Sequence, residues 1–92
     1  MTGRYQVRFS RSAKRSLTSE LPEKVAAAAY EFITSALADD PHRVGKQLSE
    51  PLDPLYSARR GEYRVIYRIS EREIMIEVVS IVHRRDAYRM VR

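Results

Sequence analysis

The chain contains no cysteine and no tryptophan, and it has only two histidines, three glycines and four prolines. Without cysteine it can form neither a disulfide framework nor a thiolate metal site, and two isolated histidines cannot complete a structural zinc site alone. We therefore expect no metal and no cofactor. The absence of cysteine is consistent with a reducing cytoplasm.

Long apolar runs are also missing. No stretch approaches the roughly 18 to 20 apolar residues that a membrane span needs, and the basic segment MTGRYQVRFSRSAKRS lacks the apolar core of a secretion signal. The nucleotide motifs GxxxxGK[ST] and GxGxxG and the GxSxG element of hydrolases are absent as well. We predict a cytoplasmic protein with no membrane segment and no small-molecule cofactor.

The length and composition are those of one small globular domain. The 92 residues are 43% hydrophobic and 32% charged, which is enough apolar surface for a modest core and too little chain for two domains. We predict a single domain over residues 1–92.

Arginine dominates the charge. The net charge is +5, and 14 of the 17 basic residues are arginine. Residues 1–20 and 57–92 each carry +4, whereas residues 21–56 carry −3. The planar arginine fork matches phosphate and stacks on bases, so this pattern favours a nucleic acid or another polyanion as partner. Arginine-rich codon usage of a high-GC genome is the alternative explanation.

The first half of the chain predicts one strand and two helices. Residues 4–9 alternate apolar and polar side chains, as a half-buried strand does, and Ser10 is suited to cap a short basic helix that ends before Pro22. A longer helix begins at Pro22 and ends at the Asp-Asp-Pro sequence of residues 39–41. Its apolar stripe consists of Val25, Ala26, Ala29, Phe32, Ile33, Ala36 and Leu37.

The second half predicts a loop followed by a meander. Residues 40–54 hold three prolines and no periodicity, so we expect a connecting loop in which Val44 and Leu48 point inward. Strands are predicted at 55–59, 62–70 and 73–83, and a short helix at 84–91. The predicted fold is therefore α+β, in the order β-α-α-β-β-β plus a terminal helix, with two helices on one face of an antiparallel meander sheet.

The middle strand of the meander predicts a cationic face. Side chains alternate along a strand, so Arg64, Ile66 and Arg68 share one face. The opposite face carries Tyr63, Val65, Tyr67 and Ile69. If the helices cover the apolar side, the other side is an open, arginine-lined surface suited to a nucleic acid strand. An ordinary solvated outer face is the alternative.

The segment HRRDAYR contains residue types that can cleave RNA without a metal. Attack by a 2′-hydroxyl needs a proton acceptor, a proton donor and fixed positive charge at the phosphate. His83, Arg84 and Tyr88 are candidates for these roles, although Tyr88 needs a lowered pKa to act as a base. The structural alternatives are a Tyr88 that closes the core and a surface His83.

The ordered combination of LYSARRGEYRVIYRI and VVSIVHRRDAYR resembles the RelE/ParE toxin superfamily, in particular its RelE-like mRNA interferase branch with a microbial RNase-like fold. The likeness covers nearly the whole chain, including PEKVAAAAYEF and PHRVGKQL. It implies a type II toxin–antitoxin toxin that enters the ribosomal A site, cleaves mRNA by metal-free 2′-hydroxyl attack and inhibits translation.

The resemblance also implies site residues. Arg64, Arg84 and Tyr88 match the residues that act at the scissile phosphate, with His83 in reserve for proton transfer. Further cations are expected to bind the substrate: Arg59, Arg60, Lys46, Arg68 and Arg85. The chain departs from the family at Leu55 and Ser57, where many relatives carry basic residues. His83, Arg59 or Lys46 could supply the missing acid or base.

The partners implied are the ribosome, mRNA and a neutralising RelB-like antitoxin, with operator DNA bound only by the toxin–antitoxin complex. Two other functions remain open: a ParE-like inhibitor of DNA gyrase that cleaves no RNA, and a catalytically inactive RNA-binding domain.

Overall fold

A computed structural model describes residues 4–48 and 54–83 of the chain. Within these ranges no helix is long and apolar enough to cross a lipid bilayer. The elements follow in chain order: β1 Gln6–Phe9, α1 Arg11–Arg15 with a π-helical extension Ser16–Glu20, α2 Glu23–Phe32 with a π-helical extension Ile33–Leu37, α3 Pro41–Val44, β2 Lys46–Gln47, β3 Tyr56–Arg60, β4 Tyr63–Ser70 and β5 Met75–His83.

The strands form one sheet in the spatial order β1-β5-β4-β3-β2. Strands β3, β4 and β5 make the predicted antiparallel meander, and β1 joins it by parallel pairing with β5. The α+β class is confirmed, and the strand limits agree with the predicted ones to within two residues. The short β2 and the parallel pairing of β1 with β5 were not predicted, because neither produces an alternating pattern in the sequence. The predicted helix at 84–91 lies outside the described residues.

Local sequence signals explain where the helices begin. The Ser10 hydroxyl oxygen accepts a hydrogen bond from the Ala13 N–H at 3.0 Å, so Ser10 is the N-cap that the sequence predicts. The same hydroxyl donates to the Val79 carbonyl at 2.6 Å and so ties the start of α1 to β5. α2 begins at Glu23, one residue after the predicted start at Pro22, and Glu23 in its first turn complements the helix dipole.

The helices and one face of the sheet enclose a single hydrophobic core. Helix residues Ala13, Ala29, Ile33 and Leu37 are fully buried. They belong to the same cluster as the buried strand residues Ala58, Tyr63, Val65, Tyr67, Ile76, Val78 and Ile81. The predicted stripe therefore does cover the sheet, except that Ala36, which was predicted to belong to it, is exposed. This arrangement leaves the second face of the sheet away from the core.

The predicted loop at residues 40–54 is partly wrong. It contains α3 and β2, and Val44 and Leu48 do not point inward, because each is 37% exposed. Among its described residues, 40–48 and 54, the buried ones are Pro41 and Gly45. Here the backbone lies against Tyr67, whose hydroxyl donates to the Pro41 carbonyl at 2.6 Å. A side chain at Gly45 would overlap that hydroxyl, so close approach of the backbone takes the place of apolar side-chain packing.

The structure places His42 in a polar cluster. Its Nε2 contacts the Glu71 carboxylate in the β4–β5 turn, and its Nδ1 lies 3.5 Å from the Tyr56 hydroxyl. The Tyr5 ring meets the His42 ring edge-on, with centroids 6.5 Å apart. His42 thus connects α3 to three other parts of the fold.

Candidate nucleic-acid interface

The sheet has two faces of different character. We call the side packed on the helices the core face and the other side the open face. Along β4 the core-face residues Tyr63, Val65 and Tyr67 are at most 6% exposed. The alternate residue Arg64 is exposed, whereas Ile66 and Arg68 are half-buried. The predicted alternation of β4 is confirmed, and it delivers arginines to the open face.

Strand pairing arranges the open-face residues in rows that run across the sheet. A bulge between Ile66 and Tyr67 shifts the β4–β5 register without changing which face the β4 residues occupy. The rows, from the β3–β4 turn outward, are Arg59–Arg64–Val82, then Lys46–Ser57–Ile66–Ser80, then Arg68–Glu77–Arg8. These positions carry five cations and one carboxylate.

Arg59 and Arg64 are direct cross-strand partners. Like charges opposite each other on a sheet are destabilising, and both side chains are exposed. Such a pair gains from a bound anion, because a phosphate removes the repulsion and matches the guanidinium geometry. The Arg59–Arg64 row is therefore a candidate anion site on this face.

The row that contains Arg68, four residues after Arg64 on β4, differs from the Arg59–Arg64 row because it includes an acidic residue. Arg68 Nη1 lies 3.5 Å from Glu77 Oε1, and the two side chains are 41% and 35% exposed. Arg8, on the other side of Glu77, is its parallel-strand partner and is exposed. Glu77 is the sole acidic residue on the strands within residues 4–48 and 54–83.

His83 does not lie on the open face. It pairs with Tyr63, so its side chain is on the core face, where it is 12% exposed and its Nε2 lies 3.4 Å from Glu62 Oε1. Arg60 is on the same side, with its guanidinium 4.8 Å from the centre of the Phe32 ring. Both residues line a groove of about 780 Å³ beside α2. The sheet therefore separates His83 and Arg60 from Arg64.

The structure thus brings together four of the predicted site residues. Arg59, Arg64, Arg68 and Lys46 lie on the open face, and Ser57 is the cross-strand partner of Lys46. The departure at Ser57 is therefore matched by a cation on the neighbouring strand. The remaining predicted site residues, Arg84, Arg85 and Tyr88, lie outside the described residues.

Two residues of the open face were missed from the sequence. Arg8 was assigned to the polar side of the first strand, but its position beside β5 depends on a parallel pairing that no local pattern reveals. Glu77 lies on the open face of β5, and the sequence signal for it was one acidic residue in a strand made mostly of Val and Ile. Strand pairing then shows that Arg8 and Arg68 are its neighbours.

Tyrosines of the core face are held neutral. Burial raises the pKa of Tyr67 to about 12, with a further increase from Tyr56 and a small decrease from the Gly45 N–H. Burial likewise raises the pKa of Tyr63, and Arg60 opposes it. Neither phenol is suited to act as a base. In the part of the chain that the structure describes, no group of three metal-ligating side chains lies together.

Comparison with known proteins identifies the family. The model of the ParE toxin of type II toxin–antitoxin systems matches residues 7–88. The chain belongs to this toxin family. The match runs from Val7 in β1 through β5 to Tyr88, so it includes the open face and the HRRDAYR segment as far as Tyr88.

Individual toxins of the RelE group are similar over most of the chain. It is 45% identical to Toxin RelE of Mycobacterium tuberculosis over 94% of this chain and 88% of that protein. It is 42% identical to Toxin RelG of the same organism over 92% and 97%. In structure it resembles a chain of the M. tuberculosis toxin–antitoxin complex RelBE2, with a TM-score of 0.81 and 41% identity over 87% and 98%.

Proposed function

We propose that this toxin is a ribosome-dependent endoribonuclease that cleaves mRNA in the A site without a metal and so inhibits translation. The observation that carries the proposal is the open face, where Arg59 and Arg64 form a paired anion site and Lys46 and Arg68 extend the positive charge. A groove of cations that follows a phosphate backbone is the general means of binding single-stranded nucleic acid. The RelE group to which its relatives belong agrees with this choice.

In this proposal Arg64 holds the scissile phosphate and stabilises the charge that develops there. Arg84 joins it, and Tyr88 stacks on the substrate and takes part in proton transfer at the 2′-hydroxyl. These two assignments rest on the resemblance of HRRDAYR to the family. Because His83 lies on the core face beside Glu62, the proposal gives proton transfer to Tyr88 rather than to His83.

A cognate antitoxin is the proposed protein partner. The similar M. tuberculosis chain was solved in a toxin–antitoxin complex. An antitoxin segment with acidic and apolar side chains would satisfy the unpaired charge of Arg59 and Arg64 and exclude RNA from the open face. Co-expression with each small neighbouring gene tests this, since relief of growth inhibition by one of them is the expected result.

The test of the nuclease is sequencing of mRNA 5′ ends after brief incubation with programmed ribosomes. We expect cuts in phase with the codon in the A site and a loss of rate of about 10²-fold in Arg64→Ala, the size typical of removing one group that stabilises transition-state charge. Arg72→Ala is the matched control, because it removes an exposed arginine from the β4–β5 turn. Intact mRNA with the unmodified toxin would rule the proposal out.

A gyrase inhibitor is the second candidate, and the match to the ParE toxin model favours it. One experiment distinguishes the gyrase inhibitor from the nuclease. Gyrase inhibition leaves mRNA whole and blocks DNA supercoiling in a purified assay, whereas the nuclease leaves supercoiling unaffected. Binding of RNA without cleavage and without effect on gyrase would instead identify a catalytically inactive RNA-binding domain.

A further inference from the structure

A carboxylate at the centre of a polyanion-binding face needs an explanation. Glu77 lies on β5 between Arg8 and Arg68, and it reduces the attraction of the open face for phosphate. Its contact with Arg68 joins two half-buried side chains and is a stabilising cross-strand ion pair. Phosphate binding alone does not account for an acid at this position.

The position of the row places it away from the phosphate site. Arg64 and Arg68 lie four residues apart on β4, a distance of about 13 Å at the usual rise of a strand. An RNA strand anchored at Arg64 presents a neighbouring nucleotide to the Arg68–Glu77 pair.

The pair places the hydrogen-bond donors of Arg68 beside the hydrogen-bond acceptors of Glu77. An ionised carboxylate has about four acceptor sites, so the single contact with Arg68 leaves Glu77 able to accept from a ligand. Arg68 donates from a guanidinium beside it. A ligand that fits must present an acceptor next to two donors along one edge.

Among the four RNA bases, guanine has that edge. Its Watson–Crick side presents the O6 acceptor, then the N1–H donor, then the N2 amino donor, and bases in single-stranded RNA are read on this edge. Adenine and cytosine each place a ring nitrogen acceptor where the carboxylate would need a donor. Uracil has one donor between two acceptors.

We propose that Glu77, with Arg68, is a specificity-determining site that binds a guanine base of the RNA next to the nucleotide held at Arg64. This inference rests on the proposed RNA substrate. Arg68 donates to O6, and the Glu77 carboxylate accepts from N1–H and the N2 amino group. The acid lowers the general affinity of the face for RNA and makes the affinity depend on base identity.

Binding of short labelled RNA tests the inference without cleavage. The probes are six-residue uridine RNAs in which one position is guanosine, inosine or adenosine, followed by fluorescence anisotropy with the purified toxin. We expect guanosine to bind about tenfold more tightly than adenosine at one position, with inosine, which lacks the amino group, in between.

Substitution of Glu77 distinguishes base recognition from charge alone. In Glu77→Gln the guanosine preference should fall to about twofold or less, while adenosine RNA binds more tightly because the face gains a positive charge. Glu73→Gln, which removes an exposed carboxylate from the β4–β5 turn, makes the same charge change and should keep the preference. A uniform gain in affinity with the preference intact would overturn the inference.

The ribosome assay gives an independent readout. Cut sites of the unmodified toxin should be enriched in guanine at one fixed position, and the enrichment should disappear in Glu77→Gln. If mRNA is cut with no such position and the short RNAs show no preference, the guanine site is wrong and the nuclease stands. Absence of cutting together with a guanosine preference would overturn the nuclease and leave the guanine site intact.

Discussion

The two faces of this sheet are built from the same strands and have opposite properties. Arg64 and Arg59 are exposed, whereas their chain neighbours Val65 and Ala58 are buried. On the core face, the shape and apolar area of a side chain determine whether a substitution is tolerated. On the open face, its charge and hydrogen-bonding groups do. A substitution should therefore affect either folding or binding, according to which face carries it.

The largest expected effect is on the stability of the core face. Tyr67 is fully buried, stacks on Tyr56 and donates to the Pro41 carbonyl. We expect Tyr67→Ala to lower the free energy of unfolding by about 3–5 kcal/mol, the usual cost of removing a buried aromatic side chain. Arg64→Ala, on the same strand, should stay within about 0.5 kcal/mol. Urea unfolding followed by circular dichroism measures both, and equal losses would contradict the comparison.

A second expected effect is a loss of stability at high pH. Burial raises the folded-state pKa of Tyr67 to about 12 from the ordinary value of 10.0, so burial favours the protonated phenol. Its contribution is complete below pH 10 and is lost as the pH rises towards 12, at about 1.4 kcal/mol per pH unit. The stability difference between the unmodified protein and Tyr67→Phe should shrink over this window. The raised pKa values of Tyr5 and Tyr63 are present in both proteins and do not enter the difference.

The smallest expected effect separates two adjacent arginines. Arg59 lies on the open face, whereas Arg60 lies on the core face over Phe32. Arg59→Ala should lower the salt dependence of RNA binding by about 0.7 in the log–log slope, the value for one phosphate contact with a single strand. Arg60→Ala should leave the slope unchanged and cost about 0.5–1 kcal/mol of stability. Reversed results would mean that the faces are wrongly assigned.

The fold was largely predictable because its signals are local. Alternation identified β1, β3, β4 and β5, and a capping serine and a proline marked the helix starts. The failures were at Val44 and Leu48, which are apolar and exposed. Burial at that point depends on the approach of the Gly45 backbone to Tyr67, and a contact between residues so far apart in sequence leaves no periodic signal.

The sequence predicted the relative positions of candidate site residues only where they lie on the same strand. Alternation along β4 placed Arg64 and Arg68 on one face, as the structure has them. It could not place His83 relative to Arg64, because that depends on the register between β4 and β5 and on a bulge within it. It also could not bring Arg8 beside Glu77, since parallel pairing joins the two strands farthest apart in the chain.

That pairing also affects how the chain folds as it is synthesised. Gln6 is synthesised before its partner Met75, so β1 cannot pair in the sheet until Met75 has been made. Closing so long a loop costs conformational entropy and slows folding relative to the local β3–β4 hairpin. We expect hydrogen-exchange pulse labelling to find β4 amides protected before those of β1, and simultaneous protection would contradict this order. A growing chain therefore cannot assemble the Arg8–Glu77–Arg68 row until β5 has been translated, so the open face is completed only after all of its other strands have been made.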